Sequence, residues 1–411
     1  MYKFLVSAAV AALFFTASSC DKPVSFGGND NNPRKEIDLT TKGAEFVEMG
    51  NSFAFDFIDR INSSTEKDYI ISPLSMQFLL GMILDGAKGQ TADEICSVLG
   101  YGAGEVAEVN DYCLSMLKQL PGLDKKTKLT IANAIFVDDG WPLKDQYKKD
   151  MAKYYEATID NLDFSNNAAS LKAINGWCNK QTNGMIPKVL DEVSPDMLCY
   201  LLNALYFKSQ WSNKFSKDNT REEDFTYESG SKGKVSMMKQ TGEFKYSSTD
   251  VYQMVRMFYG NGAFSMWVFL PNEGSTVADV TASLKKTGLE KLRYTHAEVD
   301  LWIPKFETKF SKKLNDLLSE MGMPSSFDGV AADFSLMSDY ALCLSFVRQD
   351  AIIKVDEEGT EAAAVSSAGM MKNTSVGPSD FVVFHADHPF LYLITESSTG
   401  AVLFAGRYSG K

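Results

Sequence analysis

The chain has 411 residues, of which 45% are hydrophobic and 12% aromatic, so it can bury an extensive core. Its 53 acidic and 41 basic residues give a formal net charge of −12 without any basic stripe, which excludes nucleic acid as a partner. From residue 36 onward no linker, repeat or low-complexity stretch divides the chain, which favours one large domain.

The N-terminus has the features of a bacterial export signal. Lys3 precedes an apolar run over residues 4–15 that is too short to span a bilayer as a permanent helix. Small residues then lead directly into Cys20, although Ala17 stands where lipoprotein signals usually carry a large aliphatic residue. The pattern predicts a signal peptide over residues 1–19 and a lipidated Cys20, with ordinary secretion and a free cysteine as the alternative.

Residues 20–35 are rich in Gly, Asn, Asp and Pro and cannot bury a core. We expect them to form a flexible tether that ends where the domain over residues 36–411 begins. The lipid would be the link to a membrane. We therefore predict an exported lipoprotein of the bacterial envelope, facing the periplasm or the cell surface, or a secreted protein if the lipid is absent.

The first half of the domain alternates helical and strand patterns. Apolar residues recur at helical spacing from Ala44 to Ile61, and the short strand Ile70–Ile71 is followed by a helix that Ser72 can cap. Thr91 is expected to begin the next helix, and residues 129–137, LTIANAIFV, form a strand-like run. Helices and strands therefore both contribute to the domain.

Five cysteines follow the tether, and none of them belongs to a CxxC pair. An odd number at such spacings predicts neither a disulfide framework nor a zinc site. We expect all five to be small buried hydrophobic side chains. They are Cys96, Cys113, Cys178, Cys199 and Cys343.

The chain lacks the common catalytic motifs, since it contains no GxSxG, no GxxxxGK[ST] and no HExxH. Its three histidines are His296, His385 and His388, and none of them lies beside a candidate nucleophile. The spacing His385-Ala386-Asp387-His388 offers too few ligands for a structural zinc ion, which needs four. We therefore expect no catalytic residue, no metal and no cofactor.

The segment from Lys354 to Phe390 differs from its surroundings. An acidic turn at Asp356–Gly359 leads into small residues, and the tip Met370–Ser375 precedes Gly377-Pro378. Such a segment can enter a sheet as an extra strand, because one face at a period of two residues carries no charge. An exposed helix is the alternative, since Glu and Ala favour helices. The uncharged face consists of Thr360, Ala362, Ala364, Ser366, Ala368 and Met370.

The acidic turn and the residues after it carry a family resemblance. The stretch EEGTEAAA matches the hinge of inhibitory serpins almost letter for letter, and Asp387–Phe390 matches the C-terminal signature of that family. Further serpin landmarks follow in order and spacing from Glu36 to Tyr408. The chain thus resembles the serpins, which inhibit serine and sometimes cysteine proteases. The hinge residues are Glu357, Glu358, Gly359, Thr360, Glu361, Ala362, Ala363 and Ala364.

The resemblance implies an α+β serpin fold, a single large domain with three β-sheets and about nine helices. It also implies an exposed reactive-centre loop over residues 357–380. A protease would cleave this loop, form its acyl intermediate and be trapped irreversibly when the hinge inserts into the main sheet. The chain is then a monomeric suicide substrate and no enzyme. Its partners would be trypsin-like proteases, with elastase-, chymotrypsin- and subtilisin-like proteases as further targets.

The resemblance also locates the reactive bond. In related inhibitors the cut follows the residue about fourteen beyond the hinge glycine, which is Asn373 here. Asn373 suits few serine proteases, whereas Lys372 suits a protease with an acidic specificity pocket. We therefore favour Lys372–Asn373 as the reactive bond, with Met371 and Thr374 as alternatives.

Family members carry a buried polar cluster under the sheet that opens. Its counterparts in this chain are Ser72, Ser75, Asn203 and Gln349. Gln349 stands where a histidine is usual. Because an amide also donates and accepts hydrogen bonds, we expect a rewired cluster.

The competing hypothesis is a non-inhibitory serpin that serves as a binding or structural module. Such members tend to carry bulky or proline residues in the hinge, and residues 360–364 contain none. A hydrolase is disfavoured because no nucleophile site is present.

Overall fold

The computed structural model describes residues 31–345, 347–360 and 382–410. Asn32–Lys411 forms one compact unit. The hinge is described as far as Thr360. Several predicted features lie outside the described ranges. They are the signal peptide over residues 1–19, the lipidation site Cys20, and residues 361–380 of the reactive-centre loop, which include the hinge residues Glu361–Ala364 and the reactive bond Lys372–Asn373 with its alternatives Met371 and Thr374.

The described residues contain eight α-helices, none of them long and apolar enough to cross a bilayer. Ser72 caps the second helix, because its side chain accepts a hydrogen bond from the backbone N–H of Ser75. The predicted helix start at Thr91 is wrong. The third helix begins at Gly89, and the Thr91 hydroxyl accepts a hydrogen bond from the N–H of Asp333 instead. The helices are α1 (Thr41–Ser64), α2 (Pro73–Gly86), α3 (Gly89–Leu99), α4 (Val106–Gln119), α5 (Asp145–Tyr154), α6 (Asn167–Gln181), α7 (Val277–Thr287) and α8 (Asn315–Met321).

Fifteen strands lie within the described residues. In chain order they are β1 (Tyr69–Ile71), β2 (Lys128–Asp138), β3 (Thr158–Leu162), β4 (Cys199–Gln210), β5 (Arg221–Thr226), β6 (Lys232–Ser248), β7 (Tyr252–Tyr259), β8 (Phe264–Pro271), β9 (Thr295–Pro304), β10 (Phe306–Lys313), β11 (Arg348–Asp356), β12 (Gly359–Thr360), β13 (Val382–His385), β14 (Phe390–Glu396) and β15 (Val402–Tyr408).

These strands form two hydrogen-bonded sheets. The six-stranded sheet has the order β10-β11-β12-β4-β2-β3, in which only β2 and β3 run parallel. The nine-stranded sheet has the order β1-β15-β14-β8-β7-β6-β9-β13, with β5 attached to β6. The two-residue strand β12 therefore places the start of the hinge inside the six-stranded sheet, between β11 and β4.

The α+β serpin fold that we expected is present. The described residues form two sheets and eight helices, whereas we expected three sheets and about nine helices. The described residues show two sheets because β6 is one continuous strand of 17 residues. Its first part pairs with β5, its middle with β9 and its last residues with β7. This strand joins two sheets that would otherwise be separate.

Helix α2 lies between the two sheets and contacts both β4 and β15. Nearly all of its residues are buried, as are all residues of β8, β14 and β15. A second apolar cluster, which includes Phe136, Phe164 and Tyr200, packs α6 against β2 and β4. The strand β4 is therefore covered by α2 on one face and by α6 on the other.

Burial separates the cysteines into two kinds. Cys96, Cys113 and Cys178 are buried and Cys199 is half-buried. Burial raises the pKa of the Cys96 thiol to about 11 and that of the Cys113 thiol to about 12, so both remain neutral. The prediction of burial is wrong for Cys343, which is exposed in the irregular segment before β11.

Candidate functional site

The hinge enters the six-stranded sheet as strand β12. Gly359 lies opposite Gln210 of β4 and Thr360 lies opposite Ser209, while both residues also pair with the end of β11. Beyond Thr360, no backbone pairing joins β4 to β11 in the part of the chain that the structure describes. We call this space the gap. Its upper end is at Ser209, and its lower end is at Cys199, where β4 begins.

A tight turn brings the chain from β11 into β12. The carboxylate of Asp356 accepts hydrogen bonds from the N–H groups of Glu358 (2.9 Å) and Gly359 (3.3 Å). A Cβ at Gly359 would lie 2.7 Å from the Cα of Gln210 and would overlap the carbonyl oxygen of Ser209. Only glycine therefore allows the hinge to come this close to β4.

Glu357 is a buried carboxylate at the apex of this turn. It accepts hydrogen bonds from Nζ of Lys305 (2.9 Å) and from the hydroxyl of Thr220 (2.9 Å). Burial acts to raise the pKa of Glu357, but these hydrogen bonds outweigh it and hold the pKa below its ordinary value. Its carbonyl also accepts the N–H of Phe215 at 3.0 Å. The turn is thus fixed by a charge that stays ionised.

Glu358 and Trp211 hold the other side of the turn. The Glu358 carboxylate lies 2.6 Å from Nζ of Lys214, and its carbonyl accepts the N–H of Trp211 at 2.9 Å. The Trp211 indole N–H donates to the carbonyl of Asp356 at 2.9 Å, and its ring stacks on Tyr259 with centroids 4.4 Å apart. Hydrogen bonds and an ion pair from β4 and the residues after it therefore fix both the backbone and the side chains of the turn.

Thr360 is the last described hinge residue, and it is 3% exposed. Its hydroxyl oxygen lies 2.6 Å from that of Tyr259. Burial raises the pKa of Tyr259, so the phenol stays neutral. The predicted uncharged face thus begins with a buried side chain, while Ala362 and Ala364 lie outside the described residues. We call Asp356–Thr360, with the side chains that hold it, the anchored end.

Below Thr360 the gap contains a cavity of about 260 Å³. Side chains of α2, α6, β4 and β11 line it, and most of them are apolar. A second cavity of about 20 Å³ lies directly beside Thr360. Among the described residues, the gap therefore offers both apolar surface and unpaired edges of β4 and β11 to a further strand. Among the lining residues are Met76, Leu79, Trp177, Leu201, Leu205 and Ala351.

The four residues of the predicted polar cluster lie at the start of α2. The amide of Gln349 on β11 donates to the carbonyl of Ser72 (2.8 Å) and accepts the N–H of Ser72 (3.3 Å). The hydroxyl of Ser75 donates to the amide oxygen of Asn203 on β4, and the Asn203 amide nitrogen donates to Asn133 (2.7 Å). Among the described hydrogen bonds, none joins Gln349 to Asn203. The two strands are thus tied separately to one helix start.

Several residues of the site carry no local sequence signal. Lys305, Thr220 and Tyr259 hold the hinge, yet they are 52, 137 and 101 residues from their hinge partners. Only the fold brings them together. For Asn133 a signal existed, because a polar residue inside the apolar run of residues 129–137 needs a hydrogen-bond partner once it is buried.

The histidine near the C-terminus links two strand ends. Nδ1 of His388 lies 2.8 Å from the Asp387 carboxylate, and Nε2 lies 2.9 Å from the carbonyl of Pro271. Burial acts to lower the pKa of His388, but these hydrogen bonds outweigh it and raise the pKa. Within the described ranges, no group of three or more His, Cys, Asp or Glu side chains is placed to hold a metal ion.

The family follows from comparison with known proteins. The family model described as "Serpin (serine protease inhibitor)" matches residues 48–410, most of the chain. The chain belongs to the serpin family. Serpins are generally suicide inhibitors of proteases and not enzymes, and this is the family-level expectation for the chain.

Similar proteins cover nearly the same length. An uncharacterised serpin-like protein of Thermococcus kodakarensis is 33% identical over 383 residues, which cover 91% of this chain and 88% of that protein. Native tengpin, a thermophilic serpin, gives a TM-score of 0.82 at 27% identity, with 92% of this chain and 97% of tengpin covered. Human thyroxine-binding globulin, solved in complex with thyroxine, gives a TM-score of 0.80 at 27% identity, with 89% of this chain and 98% of that chain covered. Because a thyroxine-binding protein shares this fold, the fold alone does not assign inhibition.

Proposed function

We propose that this serpin irreversibly inhibits serine endopeptidases, and cysteine endopeptidases as a second class, as a suicide substrate. The supporting observation is the start of β12 at the upper end of the gap. At Gly359–Thr360 the hinge already pairs with both β4 and β11, and a mostly apolar cavity lies below it between the same two strands. A strand that has begun in this position extends by adding residues in the same register.

The register of β12 defines the path of insertion. Because Thr360 lies opposite Ser209 in an antiparallel pair, each further residue moves one position towards the start of β4. Residue 370 then falls opposite Cys199, the first residue of β4. The uncharged face of the hinge meets the buried surface of the gap along this path.

Filling the gap supplies the driving force. Each ladder hydrogen bond contributes roughly 1 kcal/mol net, and a strand between β4 and β11 forms such bonds on both sides. Buried apolar surface adds about 25 cal/mol per Å². The uninserted form must therefore be separated from the inserted form by a kinetic barrier.

The target protease supplies the chemistry. Its serine or cysteine attacks the loop carbonyl, the peptide bond breaks with release of a new N-terminus, and the protease stays bound as an ester or thioester. Insertion competes with hydrolysis of that bond. If insertion is faster, the protease is carried along the sheet while still attached, and its active site is distorted.

We place the reactive bond at Lys372–Asn373, which makes trypsin-like proteases the main partners of a monomeric inhibitor. A lysine side chain suits a specificity pocket with an acidic group at its base. Cuts after Met371 or Thr374 would serve chymotrypsin- and elastase-like enzymes, and subtilisin-like enzymes complete the range. All of these bonds lie beyond residue 370, so each of them allows the gap to be filled.

Mixing the protein with trypsin, elastase and subtilisin tests this function. We expect a covalent complex that survives denaturing electrophoresis, and a released C-terminal fragment that begins at Asn373 after attack by trypsin. If the fragment never begins at Asn373, the choice of Lys372 is rejected. Cleavage by all three enzymes without any complex would reject inhibition and favour the binding-module alternative.

We also propose that the mature protein is an envelope lipoprotein held through Cys20. The apolar run, the small residues before Cys20 and the tether after it support this location. Fractionation of cells is expected to place the protein with membranes, and Cys20→Ala is expected to release it. Recovery of the natural protein entirely in the soluble fraction with an unmodified Cys20 would contradict anchoring.

A further inference from the structure

Exposed apolar side chains concentrate at the lower end of the gap. Five large apolar side chains are exposed among the described residues, and all but Val383 of β13 in the nine-stranded sheet come from the segments at residues 141 and 330–340. Exposed apolar clusters of this kind commonly mark contact surfaces. The other four are Trp141 (41% exposed), Val330 (98%), Leu336 (49%) and Tyr340 (44%). We call these four residues the apolar rim.

An aromatic pair joins the two sides of the gap at the rim. Trp141 follows the end of β2, where the N–H of Asp138 donates to the carbonyl of Leu198 beside the start of β4. Its ring makes an edge-on contact with Tyr340, with centroids 4.5 Å apart. Tyr340 directly precedes residues 341–345, which line the gap below β11. The pair therefore lies across the lower end.

A surface salt bridge links the two chain segments that carry Trp141 and Tyr340. Nζ of Lys144 lies 2.9 Å from the carboxylate of Asp339, next to Tyr340 in the chain. Val330 follows Gly329, and a Cβ added at Gly329 would lie 3.9 Å from the sulfur of Cys343 in the segment that lines the gap. Ordered, exposed apolar groups lose little conformational entropy when a partner covers them.

The register of the inserted hinge determines which partner reaches the rim, and this step rests on the proposed function. With residue 370 opposite Cys199, the acyl-bearing residue Lys372 emerges two positions beyond the first residue of β4. Two extended residues span roughly 7 Å. A protease domain is far larger than this distance, so an enzyme on such a tether must contact the lower end directly.

We infer that the apolar rim is the contact surface for the covalently trapped protease. Burial of Trp141 and Tyr340 against the enzyme opposes its withdrawal and so helps to keep its active site distorted. Rigid aromatic side chains that become buried on contact are common interface anchors. Because this contact forms only after insertion, it slows hydrolysis of the ester and leaves the first encounter with the loop unchanged.

A double variant, Trp141→Ser with Tyr340→Ser, tests the contribution of the rim. It is expected to form the complex with trypsin at the natural rate and then to release active trypsin at least about threefold faster. Val383→Ser is the matched control, since it removes an exposed apolar group outside the rim and is expected to change nothing. A release rate equal to that of the natural protein overturns the inference.

Footprinting of the natural protein tests the contact without any variant. Labelling of Trp141 and Tyr340 by hydroxyl radicals is expected to fall in the covalent trypsin complex but not in the loop-cleaved, protease-free form. Equal labelling in these two forms overturns the inference and leaves the proposed function standing. Failure of the natural protein to form any complex removes the proposed function itself.

Two other occupants of the rim are open to the same test. Sedimentation of the uncleaved protein would reveal a dimer that the double variant loses, if a second copy covered the rim. Cosedimentation with anionic vesicles, lost in the double variant, would reveal a lipid surface instead. Either result assigns the rim to another partner and contradicts the inference, whereas a monomer whose vesicle binding is the same in the double variant supports it.

Discussion

The two ends of the gap differ in chemistry. At the upper end, directional contacts fix the hinge, because Glu357 is bound by Lys305 and Thr220 and Gly359 lies against β4. Further down, mostly apolar side chains line a cavity of about 260 Å³. Directional bonds specify a register, whereas apolar surface supplies free energy without specifying one. In the proposed mechanism the upper end sets where insertion begins, and the rest of the gap supplies most of the stabilising free energy.

The polar cluster at the start of α2 fits the same division. Gln349 ties β11 to the helix and Asn203 ties β4 to it, without a described hydrogen bond between these two side chains. The strands can therefore stand apart while each cluster bond is kept. An amide at position 349 also does not titrate near neutral pH, so this cluster makes no pH-dependent contribution there.

Thr360→Arg is expected to have the largest effect, because Thr360 is where the anchored end meets the cavity. The sheet would have to bury an unpaired charge, which costs several kcal/mol. Insertion slows while the loop tip stays open to attack, so the inhibitor becomes a substrate. We expect the number of inhibitor molecules consumed per trypsin inactivated to rise more than about tenfold.

Glu361→Arg is the control for this substitution, since the residue is expected to point to the opposite face of the inserted strand. It should raise the number of inhibitor molecules consumed far less. Equal losses in the two variants would mean that the face of the hinge does not matter, and unchanged trapping by Thr360→Arg would exclude loop insertion.

Gly359→Ala tests the anchored end alone. The added Cβ would overlap the carbonyl oxygen of Ser209, so β12 is expected to leave the sheet. Complex formation should slow by a smaller factor than with Thr360→Arg, because no charge has to be buried. Gly122→Ala is the control, as a Cβ there meets no atom within 4 Å. The rate of trypsin inactivation by each variant is measured by stopped flow. Equal inactivation rates for Gly359→Ala and Gly122→Ala would mean that the close approach of Gly359 to β4 has no role in trapping.

Glu357→Gln removes the charge at the apex of the turn. We expect its thermal midpoint at pH 7 to fall by several degrees, more than with Glu307→Gln, which breaks an exposed pair with Lys309. The pKa of Glu357 is lowered in the folded protein, so its contribution is present above its unfolded value of about 4.3. It is lost as pH falls through the lower folded pKa. The difference in thermal midpoint between Glu357→Gln and the natural protein should therefore vanish at strongly acidic pH. A difference that persists there would contradict this assignment.

His388→Gln is expected to give the smallest effect, because His388 belongs to neither end of the gap. The pKa of His388 is raised in the folded protein, so its stabilising contribution is complete below the unfolded value of about 6.5. That contribution is lost as pH rises through the folded pKa. Unfolding in urea should show a decline above neutral pH that the variant lacks, while trypsin trapping is unchanged. If the free energy of unfolding of the natural protein and of His388→Gln declined equally above neutral pH, this assignment would be contradicted.

The hinge is a local sequence pattern, whereas the groups that hold it are not. The turn, the glycine and the uncharged face are local patterns, and Thr360 is buried at the position where that face begins. Lys305 and Thr220 could not be found in the same way, since pairing a distant charge with Glu357 requires the folded chain. The wrong helix start at Thr91 has a similar cause, because a tertiary contact with Asp333 engages its hydroxyl.

The division of the sheets was also beyond local patterns. The sequence of β6 contains no proline that would interrupt the strand, yet only the folded chain shows that it pairs in turn with β5, β9 and β7. The exposure of Cys343 likewise depends on where an irregular segment runs over the folded domain.

Backbone amide exchange of β4 tests the central claim most directly. Alternate N–H groups of residues 199–208 bond to β2, and the others face the gap. After cleavage of the loop by a small amount of protease, the amides that face the gap are expected to become strongly protected, together with those of β11. The amides bonded to β2 serve as internal controls. Exchange of the gap-facing amides that remains as fast after cleavage as before would contradict insertion of the hinge.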